Sequence, residues 1–301
     1  MSPLYGESFS LRDAPRATNR KSEFPVFLKH LAFILIFVIS FFIANLYTAQ
    51  AFLVPGSKDR IAGAARPELR TPAVASALAE LEKPNVCIIM DDVGENEELL
   101  NTLPRIPFPL TLSVMPDCQY TKSSADWAHN HGYEVMVHLP MQPLLYPEEN
   151  PGRHALLVSM DRQTLLQETS RALSEVPYAA GVNNHMGSLF TTNRAKLDVV
   201  LDVLAQRNLY FIDSRTSVRS IGYEMAHEKG LRCGERSLFL DDINDREPIR
   251  QRFEELLGLA RRNGQAVGIC HFRPETVAVL SHLDPHTFSD IQFTYPSRVV
   301  R

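Results

Sequence analysis

From residue 84 onward, short apolar runs alternate with stretches of helical spacing. Runs of strand length lie at 85–90, 110–115, 133–138, 179–183, 209–212, 231–240 and 266–270, with 291–295 as a last candidate. Between them the spacing predicts helices at about 95–103, 120–131, 161–175, 193–207, 220–229, 246–263 and 275–282, and a loop rich in Pro and Glu at 139–158. Apolar strands separated by amphipathic helices imply a parallel sheet covered on both faces. The expected fold class is therefore α/β, a parallel β/α barrel of seven to eight strands, complete or incomplete. A flat doubly wound sheet is the alternative, but no Gly-x-Gly-x-x-Gly follows the first strand, so its dinucleotide-binding version lacks the phosphate turn.

The pattern ahead of residue 84 differs. Residues 31–44 form an apolar run with one Ser and no charge, continuing more weakly to Val54. About 20 apolar residues cross a bilayer core, a length this run reaches if Asn45, Thr48 and Gln50 lie at the interface. Residues 1–30 carry five basic residues against three acidic ones, a net of +2, so the rest of the −4 chain sums to −6. A basic flank stays cytoplasmic and sends the remainder across. The expected organisation is a basic cytoplasmic N-terminus at 1–30, one transmembrane signal anchor at 31–54, a linker at 55–83 and a single domain at 84–301. Ala49-Gln50-Ala51 also fits a signal-peptidase site, so release after Ala51 is the other expectation. The sequence pI of about 6.2 argues against nucleic acid as a partner. The four cysteines lack the spacing of a disulfide framework.

Candidate chemistry collects where the strands end. The first is followed by Asp91-Asp92, the third by His138, the fourth by Asn183-Asn184-His185, the fifth by Asp213-Ser214, the sixth by Asp241-Asp242 and the seventh by His271. One Asp after a strand is commonly a helix cap. Acidic and imidazole groups at six strand ends mark the rim on which parallel barrels build their sites. No Gly-x-Ser-x-Gly elbow is present. Asp with two His suits a divalent metal, Zn2+ first, with an open position for water. Such a centre favours hydrolysis of an amide or ester. A phosphoester is a weaker candidate, because only Arg215 and Arg273 stand ready to meet its charge.

These residues resemble a known family. Ile88-Ile-Met-Asp-Asp-Val-Gly94 resembles the first motif of polysaccharide deacetylases, and His138-Leu-Pro-Met-Gln-Pro143 their second. Asn183-Asn-His-Met-Gly-Ser188, Phe211-Ile-Asp-Ser214 and Phe239-Leu-Asp-Asp242 bring the chain closer to the divergent polysaccharide deacetylases, bacterial envelope proteins related to NodB-type carbohydrate esterases. The resemblance implies a metal-dependent deacetylase acting on envelope carbohydrate or peptidoglycan at the inner membrane or in the periplasm. Asp91 would be the general base, His271 the general acid, and Asp92 and His138 metal ligands. Gln142 stands where the family's second histidine ligand is expected, and His185 is assigned as the missing imidazole on its place at the next strand end. Asn184, Asp213, Asp242 and Gln142 would orient these groups. The departures at Gln142 and in Gly268-Ile-Cys-His-Phe-Arg273 leave a second expectation open, a weakly active or inactive envelope carbohydrate-binding or assembly protein on the same fold.

Overall fold

A computed structural model describes residues 83–301. The basic N-terminus, the apolar run at 31–54 and all of the linker but Lys83 lie outside the described residues. Among the described residues no helix is long and apolar enough to cross a membrane.

The strands are β1 (Asn85–Val93), β2 (Thr111–Val114), β3 (Glu134–Met141), β4 (Ala179–Met186), β5 (Tyr210–Asp213), β6 (Cys233–Glu235), β7 (Leu238–Phe239), β8 (Gln265–His271) and β9 (Gln292–Phe293). Helices α1 (Thr121–Asn130), α2 (Arg162–Glu175), α3 (Arg194–Gln206), α4 (Gly222–Glu228), α5 (Arg246–Asn263), α6 (Pro274–Ser281) and α7 (Pro296–Val299) run between or after them. The helix expected at 95–103 is a 3-10 helix, Glu98–Arg105, with Pro104 inside it.

Every strand pair is parallel, in the order β6-β5-β4-β3-β2-β1-β8-β7, and β9 joins the start of β1. A doubly wound sheet would reverse its order midway. This one steps round sequentially, so the architecture is a barrel left open between β6 and β7. The run expected as one strand at 231–240 divides there. Its first part pairs with β5 and its second with β8, with only Arg236 and Ser237 between them. One extended stretch thus crosses the gap that a full βα unit would otherwise fill.

Alternation along each strand sorts the core into two layers. Val86, Ile88 and Met90 of β1, Val135, Val137, Leu139 and Met141 of β3, and Phe211 of β5 join the large cluster under the helices. Cys87, Ile89, Met136, Tyr210, Ile212, Val267 and Ile269 form the smaller cluster inside the curl. The next inward positions at the carboxyl ends are Asp91 on β1, His138 on β3 and His271 on β8. The apolar interior therefore ends in a polar layer, and that layer is the candidate site. Gly181 fits the same scheme on β4, because a Cβ there would meet the Tyr210 ring at 2.3 Å.

Candidate functional site

Asp91 and Asp92 are consecutive, so strict alternation would aim only one of them inward. The ladder between β1 and β2 steps from Met90↔Leu112 to Val93↔Val114, setting three residues of β1 against two of β2. This is a β-bulge, a device that re-aims a side chain. Asp92 sits in it at φ +61°, a left-handed conformation that Asp tolerates better than bulkier residues. The bulge turns both carboxylates toward the site.

Three potential ligand atoms meet there. His185 Nδ1 lies 3.1 Å from Asp92 Oδ1 and 3.1 Å from His138 Nε2, and His138 Nε2 lies 3.3 Å from Asp92 Oδ1. Donor atoms sharing one zinc at about 2.0–2.2 Å in tetrahedral geometry stand roughly 3.3 Å apart. Asp92 Oδ1 is buried without a hydrogen-bond partner, an arrangement rare for a buried polar atom. The donor types and spacing therefore fit a divalent cation. Burial pushes the Asp92 carboxyl up, but His138 and His185 outweigh it and hold it well below the usual carboxylate range. Burial likewise disfavours a charged His138, yet Asp91 and Asp92 lift its imidazole to about 9. The negative field that attracts a proton here would equally attract a metal ion.

Beneath this triangle runs a buried hydrogen-bonded relay. Asn183 Nδ2 donates to Asp91 Oδ1 at 2.9 Å, and Asn183 Oδ1 lies 2.8 Å from His138 Nδ1. Ser113 Oγ donates to the same Oδ1 at 2.6 Å. Burial raises the Asp91 carboxyl above its ordinary value, opposed by His138 and by the Asn183 amide.

His271 stands beside Asp91, their Cα positions paired across β1 and β8. Its Nδ1 lies 2.8 Å from Asp241 Oδ1, and its backbone N–H donates to Asp241 Oδ2 at 2.9 Å. Thr276 Oγ1 donates to that Oδ2 as well, at 2.7 Å. Burial lowers the His271 imidazole, but Asp241 more than compensates and the net shift is upward. The Phe239 ring stacks on His271 at 5.7 Å, and the Arg236 guanidinium covers Phe239 at 3.9 Å.

Four expected residues lie elsewhere. Gln142 is no ligand; its Oε1 accepts from Val158 N–H at 2.8 Å and its carbonyl from Leu189 and Phe190, closing the neck of the loop after β3. Asn184 faces away, accepting from Ser214 N–H and donating to the Met186 carbonyl. Asp213 accepts from Arg215 N–H, Ser220 Oγ and Tyr223 N–H, so it ties α4 to the end of β5. The Asp242 side chain is half exposed and pairs with Arg252 at 3.6 Å. In their place Asn183 holds His138, a candidate ligand, and Asp241 holds His271, the candidate acid. The parity of the strands carried that signal, since Asn183 shares a face with His185, and Asp241 with Phe239.

Asp92 and His185 form the floor of an open cleft of about 350 Å3. Its walls come from Glu95, from Met115 to Cys118 after β2, and from Asn150 to Arg153 after β3. Arg171 on α2 braces one wall, gripping the Asp117 carboxylate through two nitrogens at 2.7 and 2.8 Å.

The model of a family described as divergent polysaccharide deacetylase matches residues 88–300, and the chain belongs to that family. An uncharacterized protein of Escherichia coli K12, YibQ, is 34% identical over 231 residues, covering 77% of this chain and 69% of the relative. An uncharacterized protein of Haemophilus influenzae is 31% identical over 196 residues, covering 65% of this chain and 69% of the relative. The crystal structure of an uncharacterized protein of Agrobacterium tumefaciens C58 shares the fold, with a TM-score of 0.69 at 24% identity over 73% of this chain and 90% of the other.

Proposed function

We propose that this member of the divergent polysaccharide deacetylases hydrolyses an acyl amide or ester on an envelope carbohydrate or peptidoglycan. The observation that carries the reading is the convergence of Asp92, His138 and His185 beside a buried Asp and an Asp-held His. Those three residues would hold a divalent ion, Zn2+ by donor type. Once bound, the ion lowers the pKa of a water molecule and polarises the acyl carbonyl.

The protein's own groups supply the proton traffic. Asp91 accepts the proton of the attacking water, a task suited to a carboxylate whose pKa burial has raised. His271 points Nδ1 at Asp241, which leaves Nε2 to hand its proton to the departing amine or alkoxide. Asp241, acceptor-only when ionised, keeps that imidazole in the orientation and charge state an acid requires. The cleft receives the substrate, with Arg153, Asn150 and Asp117 offering polar contacts to sugar hydroxyls. Residues 31–54 would anchor the domain in the inner membrane, and residues 55–83 would tether it on the periplasmic side.

The test uses the full-length protein in detergent. It should bind one equivalent of Zn2+ and release acetate from an acetylated glycan or peptidoglycan panel, and Asp91→Asn should abolish release. Metal binding without acetate from any substrate would instead favour the binding and assembly role, and a wild-type chain that takes up no divalent ion would sink the metal-dependent reading.

A further inference from the structure

The relay beneath the metal triangle contains a residue with two faces. Asn183 is fully buried, flanked by His138 and Asp91, which are each 2 % exposed. An ionised Asp91 can only accept, so the donor at 2.9 Å from its Oδ1 must be the Asn183 NH2 group. The Asn183 carbonyl then faces His138 and Ser113 and can only accept from both. His138 must therefore carry its proton on Nδ1. In the neutral ring its Nε2, 3.3 Å from Asp92 Oδ1 and 3.1 Å from His185 Nδ1, then keeps the lone pair that a cation displacing the second proton would use. One side-chain amide thus dictates the tautomer of one residue and the acceptor geometry of another.

We infer that Asn183 is a positioning residue with two separable tasks, its carbonyl preparing His138 to bind metal and its NH2 group fixing Asp91 as the proton acceptor. The inference rests on the reading of the site proposed above and adds to it the group that couples ligand to base. Strand geometry explains why one residue does both. His138 is in register with Asn183 across β3 and β4, and the Asn183 side chain spans the interior to reach Asp91 on β1.

Two substitutions pull the tasks apart. Asn183→Ala removes both. Asn183→Asp keeps an acceptor for His138 Nδ1, recreating the carboxylate–histidine–metal arrangement common in metalloproteins. It replaces the donor to Asp91 by a second carboxylate oxygen, so the two acceptors repel. The first measurement is Zn2+ affinity of the full-length protein, by competition with a chromophoric chelator. Asn183→Ala should bind about 10–100-fold more weakly, and Asn183→Asp no more weakly than wild type. The second is hydrolysis of 4-nitrophenyl acetate, whose leaving group needs no acid. Here Asn183→Asp should lose at least about 100-fold in kcat despite its metal.

Metal affinity unchanged in Asn183→Ala, or lost equally in both variants, would overturn the carbonyl's role. Wild-type turnover in Asn183→Asp would overturn the role of the NH2 group. Asn183→Leu, which fills the volume without hydrogen bonding, replaces the alanine variant should that one fail to fold. A wild-type chain that binds no zinc overturns the metal site itself along with this inference, whereas wild-type affinity in Asn183→Ala overturns the inference alone.

Discussion

Asp241→Asn tests whether His271 acts as an acid held in readiness by its neighbour. Asp241 is fully buried and accepts three hydrogen bonds, two of them from His271. An amide has one acceptor oxygen, so at least one donor loses its partner. Hydrogen bonds to charged groups contribute about 1.5–3 kcal/mol, and one pKa unit corresponds to about 1.4 kcal/mol. The His271 imidazole should therefore fall by about 1–2 units, since burial pushes it down and only the more distant Asp91 and Asp92 carboxylates still oppose that. For an acid, turnover declines as pH rises through its pKa. The alkaline limb of the kcat profile on an acetylated glycan should accordingly move down by about 1–2 pH units. Above both pKa values the variant should retain about one-tenth to one-hundredth of wild-type rate, while 4-nitrophenyl acetate hydrolysis stays near wild type. An alkaline limb that stays in place while the rate drops equally at all pH values would refute the assignment. The same pair has a stability signature. Asp241 is depressed, so its contribution is present above the unfolded value near 3.9 and is lost as pH falls through the folded one. His271 is raised, so its contribution is full below about 6.5 and is lost as pH rises through the folded value. The Tm gap between wild type and variant should be widest between about pH 4 and 6.5.

Three further outcomes are expected. His138→Ala and His185→Ala should each weaken Zn2+ binding by at least about 100-fold in the chelator assay, a ligand costing more than the 10–100-fold typical of an outer partner. Asp213→Ala strips the acceptor from Arg215, Ser220 and Tyr223 and should lower stability by about 2–4 kcal/mol in urea unfolding with zinc affinity unchanged; a loss of metal would instead return Asp213 to the site. Gly181→Ala drives a methyl group into the Tyr210 ring and should cost about 1–3 kcal/mol or more, part of it recovered by adding Tyr210→Leu.

Most strands and helices were legible because apolar spacing is a direct record of burial. Observed α5 spans the expected 246–263, and β1, β3 and β8 contain or closely overlap the runs read from sequence. The rim was legible for the same reason, since a polar residue at the end of a buried strand needs a purpose. Individual assignments failed where chemistry was weighed without parity. Asn184 and Asp242 are one residue away from Asn183 and Asp241, and a shift of one residue exchanges the interior for the opposite face. Asp92 is the reverse case. Parity would have turned it outward, and only the bulge, which leaves no apolar signature, brings it back. The neck-closing role of Gln142 depends on backbone groups 14 to 48 positions away in sequence, from Leu156 to Phe190, and no local pattern encodes such a partner.

The place of β1 in the sheet has a kinetic consequence. The strand carrying both aspartates pairs with β2 on one side, yet its other neighbour is β8, where Asn85 meets Gln265 and Asp91 meets His271. β9 completes it later still, through Gln292 and Phe293. During synthesis β1 must wait as an unpaired edge until nearly the whole chain has emerged. Such non-local parallel pairing folds slowly, and an open edge invites association with other chains. A chain truncated before residue 265 would lack both His271, the proposed acid, and the strand that covers Asp91, the proposed base. The candidate metal trio, Asp92, His138 and His185, draws on β1, β3 and β4 and is complete by residue 186. Ligand capture can therefore precede the arrival of His271, which would make a bound ion an early brace for the folding chain and leave reactivity to the last strands placed.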